Sequence, residues 1–108
     1  MILSTVRMTV FPDKYNEALR ILKLTTQFTR VQQGCLGSHI YKDVQESNVL
    51  MITEIWRSSE DLTRHLRSNE YRNILLVMEM ASNAPVVRFD TISNSTGMET
   101  VEKARRVE

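Results

Sequence analysis

The segment Val49 to Arg57 constrains the fold more than any other stretch, because it alternates like a strand yet is apolar on both sides. Leu50, Ile52 and Trp56 share one face with Glu54, while Val49, Met51, Thr53 and Ile55 occupy the other. A strand of that kind belongs inside a sheet whose two faces are both covered. A chain of 108 residues buries roughly 60–70% of its unfolded surface, enough for one core but not for a large private cavity as well. A second copy packed sheet to sheet is the simplest cover for the face that the chain's own helices do not reach, and a sizeable pocket is expected to need that copy.

The flanking segments supply the other strands and the helices. Ile2 to Val10 sets Ile2, Ser4, Val6, Met8 and Val10 against Leu3, Thr5, Arg7 and Thr9, a period of two that reads as the first strand. Pro12-Asp13 ends it, and Asp13 is a candidate cap for a helix over roughly residues 14–31, with Tyr15, Ala18, Leu19, Leu22 and Phe28 near helical spacing. After Gly34-Cys35-Leu36-Gly37, the stretch Ser38 to Val44 sets His39, Tyr41 and Asp43 against Ser38, Ile40 and Lys42 as a second strand, and Gln45 to Asn48 turns the chain into the Val49 strand.

Ser58 with Asp61 resembles a capping box that opens a short helix bearing Leu62, His65 and Leu66 on one side. Ser68 is a candidate cap for a further helix from Asn69 to about Ala81, Asn83-Ala84-Pro85 breaks it, and Val86 to Ser93 alternates as the last strand. The order βαββ(α)αβ predicts an α+β, ferredoxin-like domain over residues 1–93, a four-stranded antiparallel sheet with helices on one face. Residues 94–108 shift to Ser, Thr, Gly and charges and read as a polar tail, disordered alone or helical near its end and able to dock on a partner.

Composition narrows the function classes. The formal net charge is +1, with acidic and basic residues interspersed, so no electrostatic footprint for nucleic acid or an anionic membrane is present. Cys35 is the only cysteine, which rules out an intrachain disulfide and favours a reducing, cytoplasmic setting. No cationic leader and no run of about 18 apolar residues is present. Metal-ligand spacing of His, Cys, Asp or Glu, a Gly-rich phosphate loop and a G-x-S-x-G elbow are all missing from the sequence, so metal, nucleotide and serine-hydrolase chemistry drop out.

Gly34-Cys35-Leu36-Gly37-Ser38 entering a strand, then Glu54-Ile55-Trp56 leading through Leu62 to His65-Leu66 and Ser68, form an E-x-W…L-x-x-H-L-x-S run. That run resembles the antibiotic biosynthesis monooxygenase (ABM) family of dimeric α/β barrels, which includes quinol monooxygenases, anthrone-type monooxygenases and haem-degrading monooxygenases. The resemblance spans roughly residues 2–93. It implies a homodimer that inserts oxygen from dioxygen into a small aromatic, quinol-like or phenolic molecule, with no metal, flavin or haem as a prosthetic group. A deprotonated, electron-rich aromatic can itself pass an electron to dioxygen, so such a protein need only bind it, help remove a proton and exclude water. An apolar cleft between sheet and helices, an aromatic to stack on and one or two proton-holding groups suffice.

The resemblance makes Trp56 the ring-packing wall of that cleft and His65 the group that assists deprotonation or holds the reacting oxygen. Each has a plainer alternative: Trp56 as a core tryptophan, His65 as a satisfied structural histidine at the cleft edge. Glu54 faces the same way as Trp56 and must either pair with a cation or accept a proton; an ion pair with Arg88, Lys42 or Arg7 is the expectation. His39 and Tyr41 share one face of their strand and can serve either a substrate pocket or the dimer seam. Cys35 reads as a small buried residue, and the methionines as adaptable core filling. Haem-degrading relatives use a helix histidine and a nearby tryptophan, but also an asparagine on the first strand, and this chain has none between Met1 and Phe11. The rival from another class is a non-catalytic dimeric module that binds a small molecule or regulates. Polar groups converging in an open pocket would favour the enzyme, and their satisfaction in a closed core would favour the module.

Overall fold

A computed structural model describes residues 1–106. Its elements are β1 (Ile2–Thr9), a 3-10 turn at Pro12–Lys14, α1 (Tyr15–Arg30), β2 (Cys35–Lys42), β3 (Val49–Trp56), α2 (Ser59–Leu66), α3 (Tyr71–Met78), β4 (Val86–Thr91) and α4 (Met98–Arg105). The strands form one antiparallel sheet in the order β2-β3-β1-β4, the ferredoxin-like α+β arrangement that the element order predicts. The two-faced strand β3 lies inside it, between β1 and β2.

Register carries the parity of β3 across the sheet. Glu54 pairs with Ser4 on β1 and Ser38 on β2, Ile52 with Val6 and Ile40, and Trp56 with Ile2 and Cys35. This face meets the helices: Val6, Met8, Val10, Leu50 and Ile52 pack with Ala18 and Leu22 of α1 and with Tyr71, Ile74 and Val77 of α3. Full burial of each such aliphatic side chain contributes about 1.5–3 kcal/mol. A smaller cluster of Ile2, Trp56 and Leu62, flanked by Cys35 and Leu66, closes the other end under α2. Leu3, Thr5, Met51, Thr53 and Ile55 are half-buried on the opposite face, which no helix of the described residues covers, and His39 and Tyr41 are exposed there.

Several boundaries differ from the sequence reading. Asp13 is not a cap: the start of α1 has no side-chain hydrogen bond, and Pro12 instead seeds the 3-10 turn that leads into the helix. β2 begins at Cys35 rather than Ser38, because an irregularity between Cys35 and Gly37 breaks the alternation while the pairing continues. β1 ends at Thr9, with Val10 in an isolated bridge to Ala81. The helix after Ser68 is shorter than Asn69 to Ala81, and β4 stops at Thr91. The tail holds α4, on which no residue is buried, and its positions 107–108 lie outside the described residues. No helix of the described residues is long and apolar enough to cross a membrane.

Candidate active site

Three of the sequence-selected residues meet under α2. Glu54 and Trp56 are two apart on β3 and point the same way, and Trp56 Nε1 donates to Glu54 Oε1 at 3.2 Å. The third arrives on α2, whose start is fixed by the predicted cap: the Ser58 hydroxyl accepts from the Asp61 N–H at 3.2 Å and donates to Asp61 Oδ2 at 2.8 Å. With the helix started there, Leu62 and His65 turn toward β3. The His65 ring stacks on Trp56, centroids 4.5 Å apart and planes 29° apart, and Tyr71 of α3 meets it edge-on at 5.2 Å.

The imidazole lies between two oxygen atoms. His65 Nδ1 is 3.0 Å from Gln32 Oε1, and Nε2 is 3.1 Å from Glu54 Oε1. The second contact has ion-pair distance but lies off the in-plane direction of Nε2, which has no partner in hydrogen-bond geometry among the described residues. All three side chains are buried: Trp56 is 0% exposed, His65 1% and Glu54 4%. The Ser38 hydroxyl, next to Glu54 across the β2–β3 pairing, is likewise buried without a partner.

A buried carboxylate without compensation costs several kcal/mol. The cations expected to compensate Glu54 do not reach it. Arg7 and Arg88 belong by register to the opposite face, opposite Met51 and Thr5, where Arg7 bonds Glu46 at 2.9 Å and Asp43 at 3.4 Å and Arg88 bonds Asp90 at 3.1 Å. Lys42 shares the face of Glu54 but pairs with Leu50, about 13 Å along the strand from the Glu54 position. In their place the Trp56 N–H donates to the carboxylate, and the His65 ring lies beside it.

Neighbouring groups respond to this setting. Burial, with the nearby Glu54 charge adding to it, pushes the Tyr71 phenol up from its ordinary value. Burial likewise raises the Cys35 thiol, so this half-buried residue is a poor nucleophile. His39 and Tyr41, their rings 6.3 Å apart, stand on the far face of the sheet and do not join His65, Trp56 and Glu54. The sequence reading missed Gln32 and Tyr71. Gln32 is 33 residues from His65 in a turn with no periodicity to mark it, and Tyr71 reads as one more apolar helix position.

The space expected as a cleft between sheet and helices is filled at this point by Trp56, His65 and Tyr71. More open hollows lie along the β2–β3 turn from Lys42 to Asn48, on the outer side of α2, and between α1 and Ile40. No three His, Cys, Asp or Glu side chains of the described residues converge to hold a metal ion.

Residues 1–75 match the sequence model of a family described as antibiotic biosynthesis monooxygenase. Glu54, Trp56, His65, Gln32 and Tyr71 all fall in that span. No curated protein matches the chain. Among solved structures, a conserved protein of Methanosarcina mazei is 22% identical, with a TM-score of 0.77 over 82% of this chain and 89% of its own. A candidate antibiotic biosynthesis monooxygenase of Deinococcus radiodurans is 17% identical, with a TM-score of 0.81 over 90% of this chain and 97% of its own. A Mycobacterium tuberculosis protein is 23% identical, with a TM-score of 0.77 over 89% and 98%. At these identities the likeness is one of fold.

Proposed function

The chain belongs to the antibiotic biosynthesis monooxygenase family, and on that premise we propose that it oxygenates a quinol or polycyclic phenol with dioxygen and without a prosthetic group. The observation that carries this reading is the buried His65 Nε2, which has no hydrogen-bond partner among the described residues and sits 3.1 Å from Glu54. Leaving a buried polar atom unpaired costs about 1–3 kcal/mol, a cost that a purely structural histidine has no reason to carry. A nitrogen that must accept a proton from a substrate hydroxyl does have one.

In this reading the substrate ring packs against Trp56 and its hydroxyl or activated C–H gives a proton to Nε2, while Glu54 stabilises the imidazolium that forms. The resulting anion passes an electron to dioxygen. For a diaryl methylene substrate, the methylene group and one dioxygen molecule give a diaryl ketone and one water. One oxygen atom ends in the carbonyl and the other in the water, which takes up both methylene hydrogens. Dioxygen is reduced by the electrons of the two broken C–H bonds, so no external reductant is required. Access requires α2 to separate from β3, since His65 is enclosed while α2 is docked. Two copies pair sheet to sheet through the uncovered face around Leu3, Met51 and Ile55, and His39 and Tyr41 serve that seam or a pocket along it; the domain extends to residue 93 and works in the cytoplasm.

A second reading is favoured by the closed state of the cluster: a dimeric module that binds a small aromatic molecule without turning it over. The haem branch fits less well, because β1 lacks the asparagine that the haem-degrading relatives carry on their first strand. Oxygen uptake by metal-free protein over a panel of quinols, anthrones and flavonols separates the two. Turnover is expected, reduced by about 10²–10⁴-fold in His65→Gln and lowered in Trp56→Phe. Tight aromatic binding without uptake would transfer the assignment to the module.

A further inference from the structure

We infer that Gln32 is a positioning residue that holds the His65 proton on Nδ1 and thereby keeps the Nε2 lone pair free for the substrate. The inference rests on the reading of His65 as the proton acceptor, but its geometry stands by itself. An amide oxygen can only accept, so Gln32 Oε1 at 3.0 Å requires a proton on Nδ1. In a neutral imidazole, Nε2 is then the basic nitrogen. Glu54 Oε1 lies at 3.1 Å but off the axis of that nitrogen. It therefore does not occupy the lone-pair direction, and its charge is close enough to stabilise the imidazolium once a proton arrives.

The placement of Gln32 is built rather than incidental. Gln32 N donates to Thr29 O and Cys35 N donates to Gln32 O, both at 3.1 Å, while Arg57 N donates to Gly34 O at 2.8 Å. Gly34 takes a left-handed φ of 83°. A Cβ at position 34 would run into the Asp61 carboxyl group, so the turn packs directly on the first turn of α2. The turn that presents Gln32 and the helix that presents His65 are thus one unit. A neutral amide suits the task, because its oxygen fixes the proton on Nδ1 without adding a second negative charge beside the imidazole.

The test is the long-range 1H–15N spectrum of the imidazole nitrogens in the intact protein. The chain has only 2 histidines, and exposed His39 serves as the internal reference. In the wild type, His65 is expected to show a protonated Nδ1 and an unprotonated, pyridine-like Nε2. Gln32→Met, close in length but without an acceptor, should lose that preference, and Gln32→Glu, which retains an acceptor oxygen, should keep the proton on Nδ1. A proton on Nε2 in the wild type, or a His65 pattern unchanged in Gln32→Met, overturns the inference. The wild-type spectrum decides even if a variant fails to fold. Because this readout needs no substrate, it separates the two claims: the expected pattern without oxygen uptake leaves Gln32 in its role and removes the oxygenase, whereas uptake with the opposite tautomer does the reverse.

Discussion

Ser38 and His65 carry the buried side-chain atoms that lack a partner among the described residues, and the two cases differ in consequence. His65 Nε2 adjoins a carboxylate, an indole and a phenol ring, so its unmet capacity has a chemical use. The Ser38 hydroxyl has only the desolvation cost. Ser38→Ala is therefore expected to be neutral or to stabilise by up to about 1 kcal/mol in urea denaturation; a loss above about 1 kcal/mol would show that the hydroxyl is bonded in solution. Glu54 was legible as a problem in the sequence, a carboxylate among apolar neighbours. Its solution was not, because Arg7 and Arg88 look adjacent along the strands but lie on the other side of the pleat. The imidazole that does reach it comes from a different element altogether.

Among the elements, α2 is the one whose placement the site depends on, and Asp61 holds its start together. The Arg64 guanidinium at 2.7 Å, then the Ser58 hydroxyl, keep the Asp61 carboxyl below the usual carboxylate range. A folded-state value below the unfolded one means that the carboxylate stabilises the fold at neutral pH, and that this contribution fades as pH falls through the folded value. The melting-temperature gap between wild type and Asp61→Asn should accordingly narrow as pH drops from about 7 toward about 3. A gap independent of pH would mean that the loss comes from packing. The Ser58 cap was visible in sequence because capping is local chemistry over three residues. The early start of β2 was hidden because its irregularity breaks the alternation on which strand reading relies.

At the scale of the whole molecule, the sheet has helices on one side and a half-buried apolar strip on the other. Leu3, Met51 and Ile55 lie there, flanked by exposed Tyr41 and His39. The proposed homodimer covers that strip. Sedimentation at micromolar concentration should give twice the chain mass, and Ile55→Lys should shift the protein to monomer with its circular dichroism retained. A wild-type monomer would remove the two-sided-strand argument. Val87 and Phe89 on β4, facing the helix side yet 41% and 44% exposed, and the unpacked helix α4 show that the chain leaves more surface uncovered than that one face.

Side-chain alternation, apolar spacing and caps act within a few residues of one another, so the order of elements, the two-faced central strand and the cap of α2 were determined by the sequence alone. Convergence is a different kind of information. Gln32, Glu54, His65 and Tyr71 come from a turn, a strand and two helices, and what each bonds depends on sheet register and on how α2 seats on β3. Only the tertiary structure decided that Glu54 faces an imidazole instead of a guanidinium, and that His39 and Tyr41 stand on the opposite face, because parity on a pleated sheet separates by a full layer residues that the sequence sets side by side.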